Sequence, residues 1–216
     1  MKFTTAIFDM DGVVIDSEIL FDKADSIFFA NHNASYNKEE VKHMLAGMDF
    51  NHAVGVIKET FGFEGAIEDL RVERSSLLEA LYLSELQYID GFNDFHAKLK
   101  ARGIKTCIAT ACNPAHLELV NKKLGLYGEF DNFIYKIADV GYKSKPDPAI
   151  FLYAAEKMGS TPAECFVLED APKGIRAAKN ADMFCIGLTT SFPGALLTEA
   201  DIIVDGYADI DVDELS

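Results

Sequence analysis

Residues 8–18, FDMDGVVIDSE, deliver two aspartates and a glycine directly after a short apolar stretch. Lys2–Phe8 is rich in β-branched and aromatic residues, which favours a β-strand. Because residues two apart in a strand project to the same side, the carboxylates of Asp9 and Asp11 are expected to share one pocket. The carboxyl ends of strands are the usual ligand position in open α/β sheets, and Gly12 allows a close backbone turn there. This arrangement suits one carboxylate as nucleophile and the other as proton carrier.

Two other interpretations of this motif are open. Asp and Gly are ordinary turn residues, so a DxDG pattern alone is weak support for chemistry. A calcium loop would need further oxygen ligands at alternate positions and a distant Glu, but Val13, Val14 and Ile15 follow here. The choice between a turn and a catalytic site depends on whether the rest of the chain supplies complementary groups.

The composition is that of a globular protein, with 216 residues, 49% hydrophobic and 25% charged. That length allows one large domain or a domain that carries a smaller one. The net charge of −15 argues against nucleic acid and acidic membranes as partners. Residues 1–8 are too short for a signal peptide, and the four cysteines have no CxxC spacing. We therefore expect a cytoplasmic, monomeric protein with reduced thiols.

Residues 17–88 show helical periodicity, with apolar residues at three- and four-residue spacing. Ser17 is a candidate N-cap, with Glu18 in the first turn. The block is long enough to form a helical domain of its own, inserted after the first strand. The predicted helices are Ile19–Ala30, Lys38–Leu45, Phe50–Phe61 and Ala66–Ser84.

From residue 89 onward, apolar strands alternate with helices, which predicts right-handed βαβ units and a parallel sheet. The strands are apolar throughout, which indicates a sheet covered on both faces. We therefore predict an α/β fold, in which residues 1–16 and 89–216 form a Rossmann-like parallel sheet core. The predicted strands are Ile104–Thr110, Phe133–Ile137, Cys165–Leu168, Phe184–Leu188 and Ile202–Val204. The predicted helices are Phe92–Arg102, Pro114–Leu124, Pro148–Met158 and Pro172–Asn180.

Two segments beyond the first motif could bind an anion. Thr110 ends a strand just before a helix, and a hydroxyl beside free helix-start amides can seat an anion. Thr110 and Asn113 could equally be routine caps. Lys145 precedes Pro146, which disfavours the helical conformation for the lysine. Such a lysine could balance charge in a pocket, or it could be a solvated loop residue.

Glu169 and Asp170 follow the apolar strand CFVL. If they share a pocket with Asp9 and Asp11, each carboxylate pair at about 4 Å repels by roughly 4 kcal/mol at an effective dielectric of 20. Several such repulsions rival a folding stability of about 5–15 kcal/mol. A divalent cation or protonation would have to offset them, and an all-oxygen ligand set favours Mg²⁺.

The ordered motifs DMDG, ThrAla, LysPro and GluAsp resemble those of the haloacid dehalogenase superfamily of phosphotransferases. The match extends over nearly the whole chain. The helical insert is similar to the α-helical cap of the β-phosphoglucomutase and phosphoglycolate phosphatase-like branch. The segments SKPDPAIF and LEDAPKGIRAAKNA also resemble that branch.

The resemblance implies that Asp9 is the nucleophile, which forms an aspartyl phosphate, and that Asp11 protonates the leaving oxygen and then activates water. The implied phosphate-binding residues are Gly12, Thr110, Ala111 and Lys145. The implied Mg²⁺ ligands are Asp9, the carbonyl of Asp11, Asp170 and, in or next to the coordination shell, Glu169.

This sequence differs from the β-phosphoglucomutase-like branch at positions that bear on which reaction is catalysed. Mutases carry a histidine where this chain has Phe21, and the loop from Gly47 to Phe50 lacks their arginine. Both differences favour a phosphatase over a sugar phosphomutase, and Asp11 argues against a dehalogenase. Gly47, Arg71 and Arg74 are candidate substrate contacts from the cap, although helix arginines are more often solvated. The histidines His43, His52, His96 and His116 share no pattern and are expected at the surface or around the site.

We therefore expect a Mg²⁺-dependent phosphatase that acts on a small phosphorylated metabolite, with cap closure excluding bulk water. A phosphomutase of the same fold is one alternative. A non-catalytic binding protein of this fold is another, although it would have no chemical need for Asp11.

Overall fold

Six strands form one parallel sheet in the order β3-β2-β1-β4-β5-β6. The fold is taken from a computed structural model that describes residues 3–45 and 50–215. The predicted α/β class with a parallel sheet is confirmed. The strands are β1 (Thr5–Phe8), β2 (Lys105–Thr110), β3 (Ile134–Lys136), β4 (Cys165–Glu169), β5 (Phe184–Leu188) and β6 (Ile202–Val204).

The chain divides into two compact units, and each has its own helices. One unit ends at Asp16 and resumes at Gln87, and the other runs from Ser17 to Leu86. Among the described residues, no helix combines the length and the apolar character that crossing a membrane requires. The helical unit contains α1 (Glu18–Asn31), α2 (Lys38–Leu45), α3 (Phe50–Phe61) and α4 (Ile67–Glu85). The sheet unit contains α5 (Phe92–Ala101), α6 (Pro114–Leu124), α7 (Leu126–Glu129), α8 (Ala149–Lys157), α9 (Pro172–Asn180) and α10 (Val212–Leu215).

Both faces of the sheet are buried, as the apolar strands predict. On one face Ile7 belongs to a cluster that includes Phe151 of α8 and Ile175 of α9. On the other face the ring of Phe8 lies 5.8 Å from that of Phe92 in α5. Because neighbouring strand residues point to opposite faces, an apolar run is what a doubly covered strand requires.

Some local details differ from the sequence prediction. β4 continues through Glu169, so the first of the two acids belongs to the strand itself. Ser17 occupies the N-cap position of α1 but makes no side-chain cap hydrogen bond. The four-residue helices α7 and α10 were not predicted, because four residues are too few to show a period.

His96 is fully buried rather than at the surface. Its Nδ1 lies 2.6 Å from Glu129 Oε1 and its Nε2 lies 2.7 Å from Thr106 Oγ1. Burial lowers the pKa of His96 below its ordinary value, and this outweighs the opposing hydrogen bond and charge of Glu129. The folded protein therefore favours the neutral imidazole at this position.

The helical unit has a separate apolar core, which includes Phe28 and Phe29 of α1 and Ile57 of α3. Beside this core lies a buried ion pair between Arg74 of α4 and Asp25 of α1. Arg74 Nε donates to Asp25 Oδ1 at 2.6 Å, and Nη2 donates to Oδ2 at 2.9 Å. The two residues are 6% and 7% exposed, so this bidentate pair joins two helices inside the unit.

We expect Arg74→Ala to lower the free energy of unfolding by about 3–5 kcal/mol, because it strands the buried carboxylate of Asp25. Arg71→Ala is the matched control, since Arg71 lies on the same helix in an exposed pair with Glu68 at 3.3 Å. Its cost should be about 0–1 kcal/mol. Urea unfolding measures both values. Equal costs would contradict the structural role of Arg74.

We also expect the free energy of unfolding to fall as the pH drops below about 6.5, the ordinary histidine pKa. In that range the unfolded chain binds a proton at His96 that the folded protein binds only at lower pH. The slope from one such group is at most about 1.4 kcal/mol per pH unit. Urea unfolding between pH 7.5 and 5 should give a shallower pH dependence for His96→Gln than for the wild type. Parallel curves would exclude the contribution of His96.

Candidate active site

The strand order brings three polar strand ends to one edge of the sheet. β1 lies between β2 and β4, with Phe8 paired to Ile108 on one side and to Leu168 on the other. Asp9 continues this register, because its N–H donates to the carbonyl of Leu168 at 3.0 Å. Asp9 therefore meets the ends of β2 and β4, which carry Thr110 and Glu169.

Lys145 bridges two of these strand ends. Its Nζ donates to Asp9 Oδ1 in a short ion pair and to Glu169 Oε1 at 2.6 Å. It also lies 4.9 Å from the ring centroid of Phe151 on α8. The side chain is 13% exposed, so Lys145 is a site residue and not a solvated loop lysine.

Asp9, Glu169 and Asp170 form a buried acidic cluster. One carboxylate oxygen from each lies within 4.8 Å of the others. With the Lys145 ammonium, the three ionised carboxylates carry a formal charge of −2. The donors are all hard oxygens, and the charge deficit equals that of one divalent cation. The cluster therefore fits a hard divalent cation.

The pKa values reflect this crowding of negative charge. Burial raises the pKa of Asp9 to about 7, and Glu169 adds to the rise although Lys145 opposes it. Burial, followed by the charges of Glu169 and Asp9, raises the pKa of Asp170 to about 8. Burial alone would lower the pKa of Lys145, but the two carboxylates that it bridges raise it above its ordinary value. Lys145 is therefore a permanent cation of the site.

Glu169 is held by groups other than a metal. Its Oε2 accepts hydrogen bonds from the N–H groups of Asp170 at 3.1 Å and Ala171 at 3.2 Å, at the start of α9. A Cβ at Gly174 would lie 1.8 Å from Glu169 Oε1. The missing side chain at Gly174 thus provides the space for the carboxylate that holds Lys145.

Gly12 plays a similar part for Asp170. It has a φ of +73°, and its N–H donates to the carbonyl of Ile15 at 2.9 Å, which closes a tight loop after β1. A Cβ at this position would lie 1.9 Å from Asp170 Oδ2. Both the turn and the close approach of the carboxylate therefore require glycine here.

Thr110 is buried, and its Oγ1 accepts a hydrogen bond from the N–H of Cys112 at 2.9 Å. A hydroxyl has one donor hydrogen besides its acceptor lone pairs, so this contact leaves the hydrogen of Thr110 for another acceptor. Asn113 is the N-cap of α6 and accepts from the N–H of His116. Ala111, between strand and helix, is exposed.

Asp11 is half-buried in the loop after β1 and forms an isolated β-bridge with Ile15. Its charge affects the pKa of two neighbouring groups. The pKa of Cys112 is raised, mainly by burial and then by the charge of Asp11. The pKa of His116 is lowered by burial, and the charge of Asp11 opposes this change. Asp11 therefore lies near the start of α6, on the same edge of the sheet as Thr110.

The three candidate substrate contacts from the cap, Gly47, Arg71 and Arg74, have different outcomes. Gly47 lies outside the described residues. The expectation for Arg74 needs correction, because its guanidinium is buried against Asp25 inside the helical unit. Arg71 is about one-third exposed and pairs with Glu68, and its contact with substrate stays a prediction.

Three supporting residues were not predicted. The Oγ1 of Thr190 donates to the carbonyl of Gly12 at 2.5 Å, and the Oγ of Ser191 and the Oδ2 of Asp170 both lie close to the Cα of Gly12. The hydroxyl of Tyr207 donates to the carbonyl of Val13 at 2.7 Å. Thr190 and Ser191 soon follow β5, so the rule that pointed to the other strand ends could have found them. Tyr207 is far from any strand end and had no such signal.

Comparison with known proteins identifies the family. The family model described as haloacid dehalogenase-like hydrolase matches residues 3–182. The chain belongs to this family. The match includes all four motif segments, so the resemblance that the motifs indicated is confirmed.

Two relatives of this hydrolase have named activities. Validoxylamine A 7'-phosphate phosphatase of Streptomyces hygroscopicus subsp. limoneus is 27% identical over 96% of each chain. (DL)-glycerol-3-phosphatase 2 of Arabidopsis thaliana is 32% identical over 84% of this chain and 78% of its own. The crystal structure of β-phosphoglucomutase from Clostridium difficile has a TM-score of 0.73 and covers 98% of this chain and 95% of its own. At 24% identity, that last likeness shows the fold alone.

Proposed function

We propose that this protein is a Mg²⁺-dependent phosphatase that hydrolyses a small phosphate monoester through an aspartyl phosphate. One observation carries the proposal: the Lys145 ammonium bridges Asp9 and Glu169 in a buried cluster with Asp170. The lysine fixes the Asp9 carboxylate, and a divalent cation held by the acids would offset their excess negative charge and attract an anionic phosphoryl group. Phosphate monoesters hydrolyse extremely slowly without a catalyst, so covalent catalysis and fixed cations are both valuable.

In the first half-reaction, a carboxylate oxygen of Asp9 attacks phosphorus while the bond from phosphorus to the ester oxygen breaks. Asp11 gives its proton to that leaving oxygen, which departs as an alcohol. In the second half-reaction, Asp11 takes a proton from water, and the resulting hydroxide attacks phosphorus. The Asp9–phosphorus bond breaks, which releases inorganic phosphate and restores both side chains.

The remaining groups orient and neutralise the phosphoryl group. Lys145 orients the Asp9 carboxylate and balances its charge, and the hydrogen of Thr110 and the N–H of Ala111 are available to phosphoryl oxygens. Gly12 lets the phosphoryl group approach the backbone. A bound Mg²⁺ would neutralise charge and orient the phosphoryl oxygens. The residues that would hold it are Asp9, Asp170 and the carbonyl of Asp11, with Glu169 next to them.

The substrate class is argued from the relatives and from one replaced residue. The named relatives act on phosphorylated small molecules, which supports a small phosphorylated metabolite here. In the helical unit, which we propose to be the cap, Phe21 packs against Tyr82, with ring centroids 6.2 Å apart. Phe21 offers no titratable group where the resemblance to mutases would require histidine. We therefore favour hydrolysis over phosphoryl transfer between positions of one sugar.

The test is a phosphate-release screen over sugar phosphates, phosphoglycolate, glycerol phosphate and nucleotide monophosphates. The wild type with Mg²⁺ should release phosphate, EDTA should abolish the release, and added Mg²⁺ should restore it. Asp9→Asn should abolish turnover, because an amide cannot act as the nucleophile. Asp182→Asn is the matched control, since it makes the same chemical change at an exposed residue of the sheet unit. Full activity in Asp9→Asn would refute the assignment of the nucleophile.

The alternatives give different results in the same screen. A mutase would isomerise one sugar phosphate in the presence of a bisphosphate activator, with little net release. A non-catalytic protein would release phosphate from none of the compounds. Asp11→Asn serves as a second variant, because loss of the acid and base should slow both half-reactions while Asp9 remains intact. A normal rate in that variant would remove the proton-transfer role of Asp11.

We further expect Gly174→Ala to reduce turnover strongly, on the order of 100-fold, because the new methyl group displaces the Glu169 carboxylate and with it Lys145. The same displacement breaks the buried ion pair of Glu169 with Lys145, so the free energy of unfolding should fall as well. Phosphate release and urea unfolding measure the two effects separately. Gly128→Ala in α7 is the control, because a Cβ there meets nothing within 4 Å. Unchanged turnover in Gly174→Ala would show that the position of Glu169 is not important.

A further inference from the structure

Two side chains from the last part of the chain hold the loop of residues 10–15, which carries Asp11. The hydroxyl of Tyr207 donates to the carbonyl of Val13 at 2.7 Å, and the hydroxyl of Thr190 donates to the carbonyl of Gly12. The two acceptors are consecutive residues, and they directly follow Asp11. The donors are 194 and 178 residues away from their acceptors in the sequence, so two distant segments meet at this loop.

Tyr207 is a rigid anchor. The residue is 3% exposed, and its ring centroid lies 4.9 Å from that of Phe95 and 5.9 Å from that of Phe92, both on α5. Phe92 in turn packs against Phe8, the last residue of β1. The tyrosine hydroxyl is therefore fixed relative to the strand that leads into Asp9.

The loop turns at Gly12, and glycine has more backbone freedom than any other residue. On the inner side of the turn, the N–H groups of Val13 and Val14 donate to the carbonyl of Met10 at 3.4 and 2.9 Å. The carbonyls on the outer side of the same two peptide groups accept from Thr190 and Tyr207. Both peptide groups are thus held at each end: the inner bonds set the shape of the turn, and the hydroxyls tie it to the sheet unit.

We propose that Tyr207 is a positioning residue that, together with Thr190, holds this loop so that Asp11 can reach the leaving oxygen of the substrate. The inference rests on the proposed function and goes beyond it. Tyr207 itself touches no reacting atom and acts through the loop. A displacement of about 1 Å can slow a reaction on the order of 100-fold, and proton transfer requires hydrogen-bond distance, so a fixed loop is valuable here.

The test compares two esters that depend differently on the proton of Asp11. The alkyl phosphate that reacts fastest in the phosphate-release screen needs this proton, because an alkoxide is a strongly basic leaving group. p-Nitrophenyl phosphate needs it much less, because nitrophenolate is a stable anion. Rapid quenching of a single turnover with excess enzyme gives the rate of ester cleavage, the first half-reaction, for each compound.

Tyr207→Phe keeps the ring and removes only the hydroxyl. We expect this variant to cleave the alkyl phosphate about 10-fold more slowly, and p-nitrophenyl phosphate within about 2-fold of the wild-type rate. Thr190→Val should show the same selective loss. Thr190→Ser should cleave both esters at the wild-type rate, because serine retains the O–H donor.

Tyr88→Phe is the matched control. The hydroxyl of Tyr88 also donates to a backbone carbonyl, that of Leu124 at 3.1 Å, and its ring also packs on Phe92. The same chemical change is therefore made in the sheet unit without touching the two carbonyls of the loop. Both esters should react at the wild-type rate in this variant.

Equal slowing of both esters in Tyr207→Phe would indicate a general loosening and overturn the proposal, as would a wild-type rate on the alkyl phosphate. If Tyr207→Phe does not fold, Thr190→Val distinguishes the same outcomes. A wild type that cleaves no ester would overturn the proposed function and this inference with it. An active wild type whose variants are unaffected would overturn this inference alone.

Discussion

The ion pairs of Lys145 hold the site together. The ammonium lies between Asp9 at the end of β1 and Glu169 at the end of β4, and all three groups are largely buried. Removing one partner from a buried pair typically costs several kcal/mol, because the remaining charge has lost both water and its counter-ion. Here the lysine faces more than one acid, so the cluster keeps an excess of negative charge even when Lys145 is in place. That excess is what would attract a divalent cation to this edge of the sheet.

Space for these charges is made by residues without side chains. Gly12 and Gly174 each lie where a methyl group would collide with a carboxylate oxygen, one of Asp170 and the other of Glu169. The two adjacent acids consequently have different surroundings. Glu169 is bound by Lys145 and by backbone N–H groups at the start of α9, where the helix dipole also favours an anion. Asp170 points to the loop of Gly12, so the two acids are suited to different roles.

The helical unit shows how a charged residue can be structural. An arginine on a predicted amphipathic helix suggests either a solvated charge or a ligand contact. Arg74 is neither, because its guanidinium meets Asp25 across the interface between α1 and α4. The pairing joins positions 49 residues apart. Helical periodicity indicates which face a residue lies on, but it cannot indicate a counter-ion on another helix.

The sequence by itself determined the parallel sheet, the helices between residues 18 and 85 and the strand ends that carry Asp9, Thr110 and Glu169. It did so because buried strands, amphipathic helices and glycine turns leave local patterns of apolar spacing. Only the tertiary structure decided that Lys145 bridges Asp9 and Glu169, that Thr190 binds the carbonyl of Gly12 and that His96 is buried. Each of these depends on strand register and on packing between segments that are distant in the chain. Local propensity carries no information about such contacts, since the energy of a buried charge depends on what folds around it.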